Sequence, residues 1–156
     1  MIDKKDKQQI EDERYMRIAL EEAKAASKEG EIPIGAVIVS HGRIIGRGHN
    51  MTEALTDVTA HAEMLAITAA ANNLGGKYLP DCTLYVTIEP CPMCAGAIGW
   101  SQIGRLVYGA PDEKRGCFNH FSPTRTPLHP KTIVKQGVLE DECREIMQSF
   151  FRKLRR

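Results

Sequence analysis

The sequence predicts an α/β fold, in which helices cover both faces of a mainly parallel sheet. Two observations lead to this class. After an opening hairpin pattern, strand-like segments alternate with helix-like segments, and the chain also begins and ends with amphipathic helical patterns. At 156 residues, without an internal repeat or a linker-like stretch, the chain is expected to form one domain over residues 1–156.

The first helix is predicted over residues 8–28, and Gly30 ends it. Small and apolar residues recur there at the spacing of one helical face, namely Met16, Ala19, Leu20, Ala23 and Ala26. Two strands are predicted next, over residues 34–40 and 43–48. The His41-Gly42 pair between them favours a tight hairpin turn.

The middle of the chain is predicted to alternate between buried helices and strands. Alanine-rich, apolar segments indicate the helices, and β-branched or aromatic segments indicate the strands. Gly75 is placed to end the first of these helices, and Pro90 and Pro92 to begin the second. The predicted order is helix 60–74, strand 83–88, helix 91–100 and strand 105–109.

The C-terminal part combines an irregular connection with a closing helix. Residues 110–130 hold four prolines and fit neither pattern, and long connections of this kind are usually functional or mobile. Residues 139–154 predict an amphipathic helix, with Cys143, Met147, Phe150 and Leu154 on one face.

Composition and charge exclude several classes of protein. No apolar run approaches the roughly 20 residues needed to span a bilayer, and the charged N-terminus lacks the apolar stretch of a signal peptide. We therefore expect a cytoplasmic protein. A net charge of +1 means that any nucleic acid must bind to a local basic patch. Five cysteines, an odd number in such a compartment, favour metal binding or burial over disulfides.

One histidine and two cysteines are predicted to bind zinc. His61 and the Cys91-Pro-Met-Cys94 motif each stand where a loop enters a helix, and the positive end of a helix dipole favours thiolates there. Three protein ligands are the number of a catalytic zinc site, whose fourth position is open to water. Zinc acidifies such a water enough for it to serve as hydroxide near neutral pH.

Glu63, two residues after His61, is the predicted catalytic acid–base. A carboxylate beside the water can take its proton, pass it to a ring nitrogen, and later help to protonate departing ammonia. Taken alone, Glu63 would also fit a solvated first-turn acid that the helix dipole favours. Its pairing with His61, upstream of Pro90-Cys91-Pro-Met-Cys94, matches the signature of zinc deaminases.

These motifs resemble the cytidine deaminase superfamily, and within it the branch that acts on adenosine in bacterial tRNA. The motifs that carry the resemblance are Glu31-Ile-Pro-Ile-Gly-Ala-Val, Gly48-His-Asn50, Thr59-Ala-His-Ala-Glu63, the run from Thr83 to Ile98, and Arg105-Leu-Val-Tyr-Gly-Ala110 with Asp112. The resemblance implies a three-layer α/β/α fold around a five-stranded mixed sheet, one Zn²⁺ ion and a homodimer.

The resemblance also implies the reaction and its substrate. The reaction is hydrolysis of adenosine to inosine at the wobble position of a tRNA anticodon loop. By this analogy Asn50 hydrogen-bonds the flipped purine, Ile34 helps to wall the pocket, and Asp112 holds a flanking nucleotide.

Two departures from that branch keep a second substrate open. Residues 116–123, Gly-Cys-Phe-Asn-His-Phe-Ser-Pro, replace the usual Gly-Ser-Leu-Met-like stretch. The second departure is Trp100, after the Cys-Pro-Met-Cys motif, which is a feature that resembles guanine deaminases. Those enzymes share the zinc chemistry but act on a free base. An RNA enzyme needs an open pocket with a basic rim, for which the chain offers Lys114, Arg115, Arg125 and Arg152. The C-terminal basic residues, which end at Arg156, are a further candidate for phosphate contacts.

A third possibility is a zinc-stabilised interaction module without catalysis. It would need a fourth protein ligand, and Cys117 is the available candidate.

Overall fold

The computed structural model describes residues 2–122 and 124–155. Two residues named above lie outside the described residues: Pro123, the last residue of the stretch 116–123 that differs from the related branch, and Arg156. The described chain forms α1 (Lys4–Lys28), β1 (Gly35–Ser40), β2 (Arg43–His49), α2 (Ala62–Leu74), β3 (Cys82–Ile88), α3 (Pro92–Ser101), β4 (Arg105–Ala110), a short 3₁₀ turn (Cys117–Asn119), β5 (Ile133–Gln136) and α4 (Glu140–Leu154). Within this part of the chain, no helix has the length and apolar character that crossing a membrane requires.

The five strands form one mixed sheet in the order β2-β1-β3-β4-β5. β1 is antiparallel to both of its neighbours, and β3, β4 and β5 are parallel to one another. Four strands, β2, β3, β4 and β5, therefore run in the same direction, and β1, which lies between β2 and β3 in the sheet, runs in the opposite direction. Their carboxyl ends meet at one edge of the sheet, where open α/β folds place their sites.

Helices cover both faces of the sheet, so the predicted three-layer fold is confirmed. On one face, alanines of α2 and the residues Ala95 and Ile98 of α3 pack against the central strands. On the other face, Tyr15, Met16 and Ala19 of α1 and Cys143 of α4 pack against β1, β3 and β4. The apolar face predicted for α1 is buried.

The structure moves the start of one predicted helix and adds a fifth strand to the four that were predicted as segments. α1 begins four residues before the predicted start at residue 8, because Asp3 caps it by accepting a hydrogen bond from the Asp6 backbone amide at 2.9 Å. β5 has only four residues, most of them exposed, so it lacks the alternating apolar pattern that reveals a half-buried strand.

The β1–β2 hairpin and α2 are held in direct backbone contact. His41 and Gly42 both have positive φ, 48° and 75°, as a type I′ turn requires. At the end of β2, a Cβ atom on Gly48 would lie 2.6 Å from the carbonyl oxygen of Ala62. The absence of a side chain at Gly48 therefore lets the first turn of α2 rest on β2.

A buried carboxylate, Asp12, ties α1 to three strands. Arg105 binds both of its oxygens, at 2.7 and 2.8 Å, Lys135 binds Oδ2 at 3.0 Å, and the Tyr85 hydroxyl donates at 2.8 Å. Burial acts to raise the pKa of Asp12, but the contacts with Arg105, Lys135 and Tyr85 outweigh it and hold this pKa below its usual 3.8.

Replacing Asp12 by asparagine is expected to lower the free energy of unfolding by about 3 kcal/mol, because it leaves the partly buried Arg105 and Lys135 without their carboxylate partner. Since the pKa of Asp12 is lowered by folding, its contribution is present above the unfolded-state value. It is lost as the pH falls below 3.8 and through the folded-state pKa. Urea unfolding at pH 7 and in acid measures both effects.

The control for Asp12 is Glu13→Gln, which removes an exposed pair with Arg17 at 3.9 Å. This change should cost less than about 1 kcal/mol. Equal losses for the two variants, or an unchanged acid dependence of Asp12→Asn, would contradict the assignment.

Candidate metal centre

Two helix starts carry the predicted metal ligands. His61 is the N-cap of α2 and Cys91 is the N-cap of α3, both in extended backbone conformation, and Cys94 lies in the first turn of α3. Neither His61 nor Cys91 caps its own helix through its side chain. Because α2 follows β2 and α3 follows β3, the sheet brings these side chains to one edge.

The three side chains have the spacing of a zinc ligand set. His61 Nδ1 lies 3.7 Å from Cys91 Sγ and 3.5 Å from Cys94 Sγ, and the three ligand atoms all lie within 4.8 Å of one another. In a tetrahedral site with bonds of about 2.0–2.3 Å, neighbouring ligand atoms stand about 3.6 Å apart. The residues present therefore fit Zn²⁺, as the sequence predicts.

The ligand set is poised to exchange protons for a cation. The contact with Cys94 and, to a smaller extent, the contact with His61 together lower the pKa of Cys91 to about 4, against the opposing effect of burial. Contact with Cys91 raises the pKa of both Cys94 and His61. A thiolate is the form that binds metal, and binding releases the remaining protons.

Glu63 is buried beside this cluster. Only 4% of the residue is exposed, although it lies in the first turn of α2. Burial raises the pKa of Glu63 to about 7, and the negative charge of Cys91 acts in the same direction. The carboxyl and the Cys94 thiol are close enough to shift each other's pKa. This burial excludes a solvated surface acid and leaves a carboxyl group that can carry a proton next to the metal ligands.

Asn50 and Ile34 meet where β2 ends and β1 begins. The backbone amide of Asn50 donates to the Ile34 carbonyl at 3.1 Å, and Asn50 is 5% exposed. Among the buried side-chain oxygen and nitrogen atoms of residues 2–122 and 124–155, Asn50 Oδ1 is the one without a hydrogen-bond partner. A buried acceptor of this kind suits a ligand that brings a donor.

Asp112 organises the turn that follows β4. Its Oδ1 accepts from the backbone amides of Lys114 and Arg115, at 3.1 and 3.0 Å. The exposed Arg115 lies near enough to His61 for its charge to oppose the rise in pKa that the contact with Cys91 causes. The turn that carries Arg115 lies against the start of α3, because the Cys117 backbone amide that follows it donates to the Pro90 carbonyl at 2.8 Å. Arg152, another predicted rim residue, pairs with Glu145 at 2.7 Å on α4, across the sheet from α2 and α3.

Cys117 is not part of the ligand set. It is buried, and its backbone amide donates to the Pro90 carbonyl at 2.8 Å. In the described part of the chain, the only clustered metal-ligand side chains are those of His61, Cys91 and Cys94. The fourth sulfur ligand that a non-catalytic zinc module would need is therefore missing from this cluster.

Two buried carboxylates near the site were assigned no role from the sequence. Glu31 accepts hydrogen bonds from the backbone amides of Glu53 and Ala54, and Glu89 from those of Asp112 and Phe118. The signal that could have revealed them is an acidic residue inside an otherwise apolar strand end or loop, since buried acids need partners.

Comparison with known proteins gives a family match over most of the chain. The cytidine and deoxycytidylate deaminase zinc-binding region matches residues 9–110. The tRNA-specific adenosine deaminase of Bacillus subtilis is 47% identical over 150 residues, which cover 94% of this chain and 92% of that protein. The chain spans only 12% of a longer relative, the chloroplastic tRNA(adenine(34)) deaminase of Arabidopsis thaliana.

Solved structures with this fold come from both substrate classes. One, from studies of A-to-I editing by tRNA:A34 deaminases at the wobble position, is 46% identical with a TM-score of 0.78, and the match covers 85% of this chain and 98% of that chain. A guanine deaminase from Bacillus subtilis is 44% identical with a TM-score of 0.61, over 64% of each chain. A guanine deaminase from Nitrosomonas europaea is 26% identical with a TM-score of 0.76, and the match covers 88% of this chain and 83% of that chain. Both classes therefore share the fold, and the tRNA deaminase is distinguished by its 46% identity over 85% of this chain.

Proposed function

The chain belongs to the cytidine and deoxycytidylate deaminase family, and from this premise we infer that it is a zinc-dependent hydrolase that converts adenosine to inosine at the wobble position of a tRNA. The observation that carries the chemistry is the His61, Cys91 and Cys94 cluster with the buried Glu63 beside it. The observation that favours tRNA is the identity of 43–47% to tRNA-specific adenosine deaminases over at least 90% of the chain.

The mechanism divides the work between the metal and Glu63. His61 and the two thiolates would hold Zn²⁺, which supplies the Lewis acidity that makes a water molecule nucleophilic. Glu63 takes one proton from the attacking water and delivers it to a nitrogen of the adenine ring. It then helps to protonate the leaving amino group, so that adenosine and water give inosine and ammonia.

Substrate binding in this proposal uses residues at the rim. Asn50 would hydrogen-bond the flipped purine, with its buried Oδ1 taking a donor from the substrate. Ile34, which is half-buried and packs against the core, would form part of the pocket wall. Asp112 would hold a flanking nucleotide from the turn that it organises. A base must leave its stack before its amino group can be attacked.

We also propose a homodimer that forms through α3. Trp100 is 86% exposed, and a cavity of about 450 Å³ lies beside it, lined by residues that include Tyr78 and Leu128. An exposed aromatic residue beside an apolar depression is typical of an interaction surface.

In the same proposal, the chain forms a single domain that acts in the cytoplasm, where its tRNA substrate is found.

The experiment that tests the function offers the purified protein two substrates in parallel. The first is a tRNA with adenosine at the wobble position, with the same tRNA carrying guanosine there as its matched control, and the second is free guanine. We expect inosine and ammonia from the first tRNA alone. Turnover of guanine without deamination of tRNA would replace this substrate by a free base.

Binding of tRNA should depend on salt, because phosphate contacts release counterions. Replacing Arg115 by glutamine is expected to weaken tRNA binding and to reduce the slope of log K against log salt by about one. Filter binding over a series of salt concentrations measures the slope. Arg17→Gln on α1, which is also an exposed arginine, should leave it unchanged. Equal slopes for wild type and Arg115→Gln would remove Arg115 from the interface.

A further inference from the structure

Glu89 is a buried carboxylate between the last strand residue before α3 and the ligand Cys91. The residue is 6% exposed. Its Oε1 accepts from the backbone amide of Asp112 at 3.1 Å, and its Oε2 accepts from the backbone amide of Phe118 at 3.0 Å. One side chain thus holds both ends of the segment 112–118.

The segment 112–118 is shaped around this carboxylate. A Cβ atom on Gly116 would overlap the Glu89 carboxylate, so the turn closes directly over it. The backbone amide of Gly116 donates to the Asp112 carbonyl at 2.9 Å, and the Phe118 ring stacks on Tyr108 at 5.9 Å between centroids. Because Glu89 comes two residues before Cys91, the position of this segment is fixed relative to a metal ligand.

We propose that Glu89 is a positioning residue that sets the Asp112 segment over the metal centre and thereby governs how tightly the RNA substrate binds. This inference rests on the proposed function, since it assigns Asp112 to substrate binding. A carboxylate is required because it presents two acceptors to two amide donors. Glutamine would turn an NH₂ group toward one of the two amides and lose that hydrogen bond.

The chain provides a matched control in Glu31. This carboxylate is 1% exposed, and it accepts from the backbone amides of Glu53 and Ala54, at 3.0 and 2.8 Å. It therefore has the same chemistry as Glu89 but holds the loop between Asn50 and His61. The two substitutions remove equivalent hydrogen bonds from different loops, and only the Glu89 contacts include Asp112.

The test is a double-mutant cycle on the holoenzyme, with an anticodon stem-loop RNA as substrate. Glu89→Gln and Glu31→Gln are each made in the wild-type and Asp112→Ala backgrounds, and kcat, KM and zinc content are measured. We expect Glu89→Gln to raise KM about tenfold, with kcat changed much less and zinc retained. In the Asp112→Ala background its effect should nearly vanish, whereas that of Glu31→Gln should be the same in both backgrounds.

Amide hydrogen exchange gives a second readout that does not depend on activity. Glu89→Gln should speed exchange of whichever of the Asp112 and Phe118 amides loses its acceptor, and Glu31→Gln should act in the same way on the Glu53 and Ala54 amides instead. A KM effect of Glu89→Gln that persists without the Asp112 side chain would overturn the inference, and so would unchanged exchange at residues 112 and 118. If the wild type fails to deaminate RNA, the proposed function fails, while exchange still decides whether Glu89 holds this segment.

Discussion

Replacing Glu63 by glutamine is expected to lower kcat for deamination by about 10²–10⁴-fold, because the group that moves protons is removed. The three metal ligands are untouched, and glutamine has almost the same shape, so zinc content and folding should be retained. Steady-state assays with saturating substrate, together with metal analysis and a thermal melt of the same preparation, measure the three quantities.

The control for Glu63 is Glu142→Gln, which removes an acid from the first turn of α4. If first-turn acids mattered only through the helix dipole, the two substitutions would have similar small effects. We expect wild-type turnover for Glu142→Gln. A Glu63→Gln rate within tenfold of wild type would contradict the proton-transfer role.

Replacing Cys91 or Cys94 by alanine is expected to abolish zinc binding and activity together. Two protein ligands cannot hold the ion as three do, and the wild type should contain about one zinc per chain. Both variants should also unfold at lower temperature than the wild type, because the binding free energy of the metal adds to the free energy of folding. Metal analysis after dialysis and thermal unfolding provide the measurements.

Cys117→Ala is the matched control, since Cys117 is a buried thiol outside the ligand cluster. We expect its zinc content and its rate of deamination to stay near the wild-type values. Full zinc occupancy in Cys91→Ala or Cys94→Ala would remove those residues from the ligand set. Loss of zinc from Cys117→Ala would instead support the alternative in which Cys117 is the fourth ligand of a structural zinc site.

The fold was predictable wherever a segment carries a strong periodic pattern. The buried alanine-rich helices and the β-branched strand before Cys91 are locally unambiguous, and α2, α3 and β3 lie within two residues of their predicted bounds. β5 could not be predicted from its pattern, because its four residues gain their place by pairing with β4. The start of α1 depends on one capping side chain, Asp3, which a hydrophobic pattern does not register.

The candidate site was predictable because its ligands form a motif with defined spacing. His61, Glu63, Cys91 and Cys94 are brought together as the sequence indicates. The supporting contacts were not predictable, since Glu31 and Glu89 bind backbone amides of distant loops, and any residue except proline can supply an amide N–H. Which loop folds over which carboxylate is decided by the tertiary structure alone.

The strand order has a consequence for how the metal centre is assembled. β1 and β2 form a local hairpin, but the Cys91 and Cys94 thiols reach the centre only after β3 pairs with the far side of β1, more than 40 residues along the chain. Such distant pairing is slow compared with hairpin closure. A chain that has not completed this step, such as one still leaving the ribosome, has His61 apart from the two thiols. Such a chain therefore lacks the preformed three-ligand site. The complete three-ligand site thus forms only after β3 has paired with β1, and deamination requires that step.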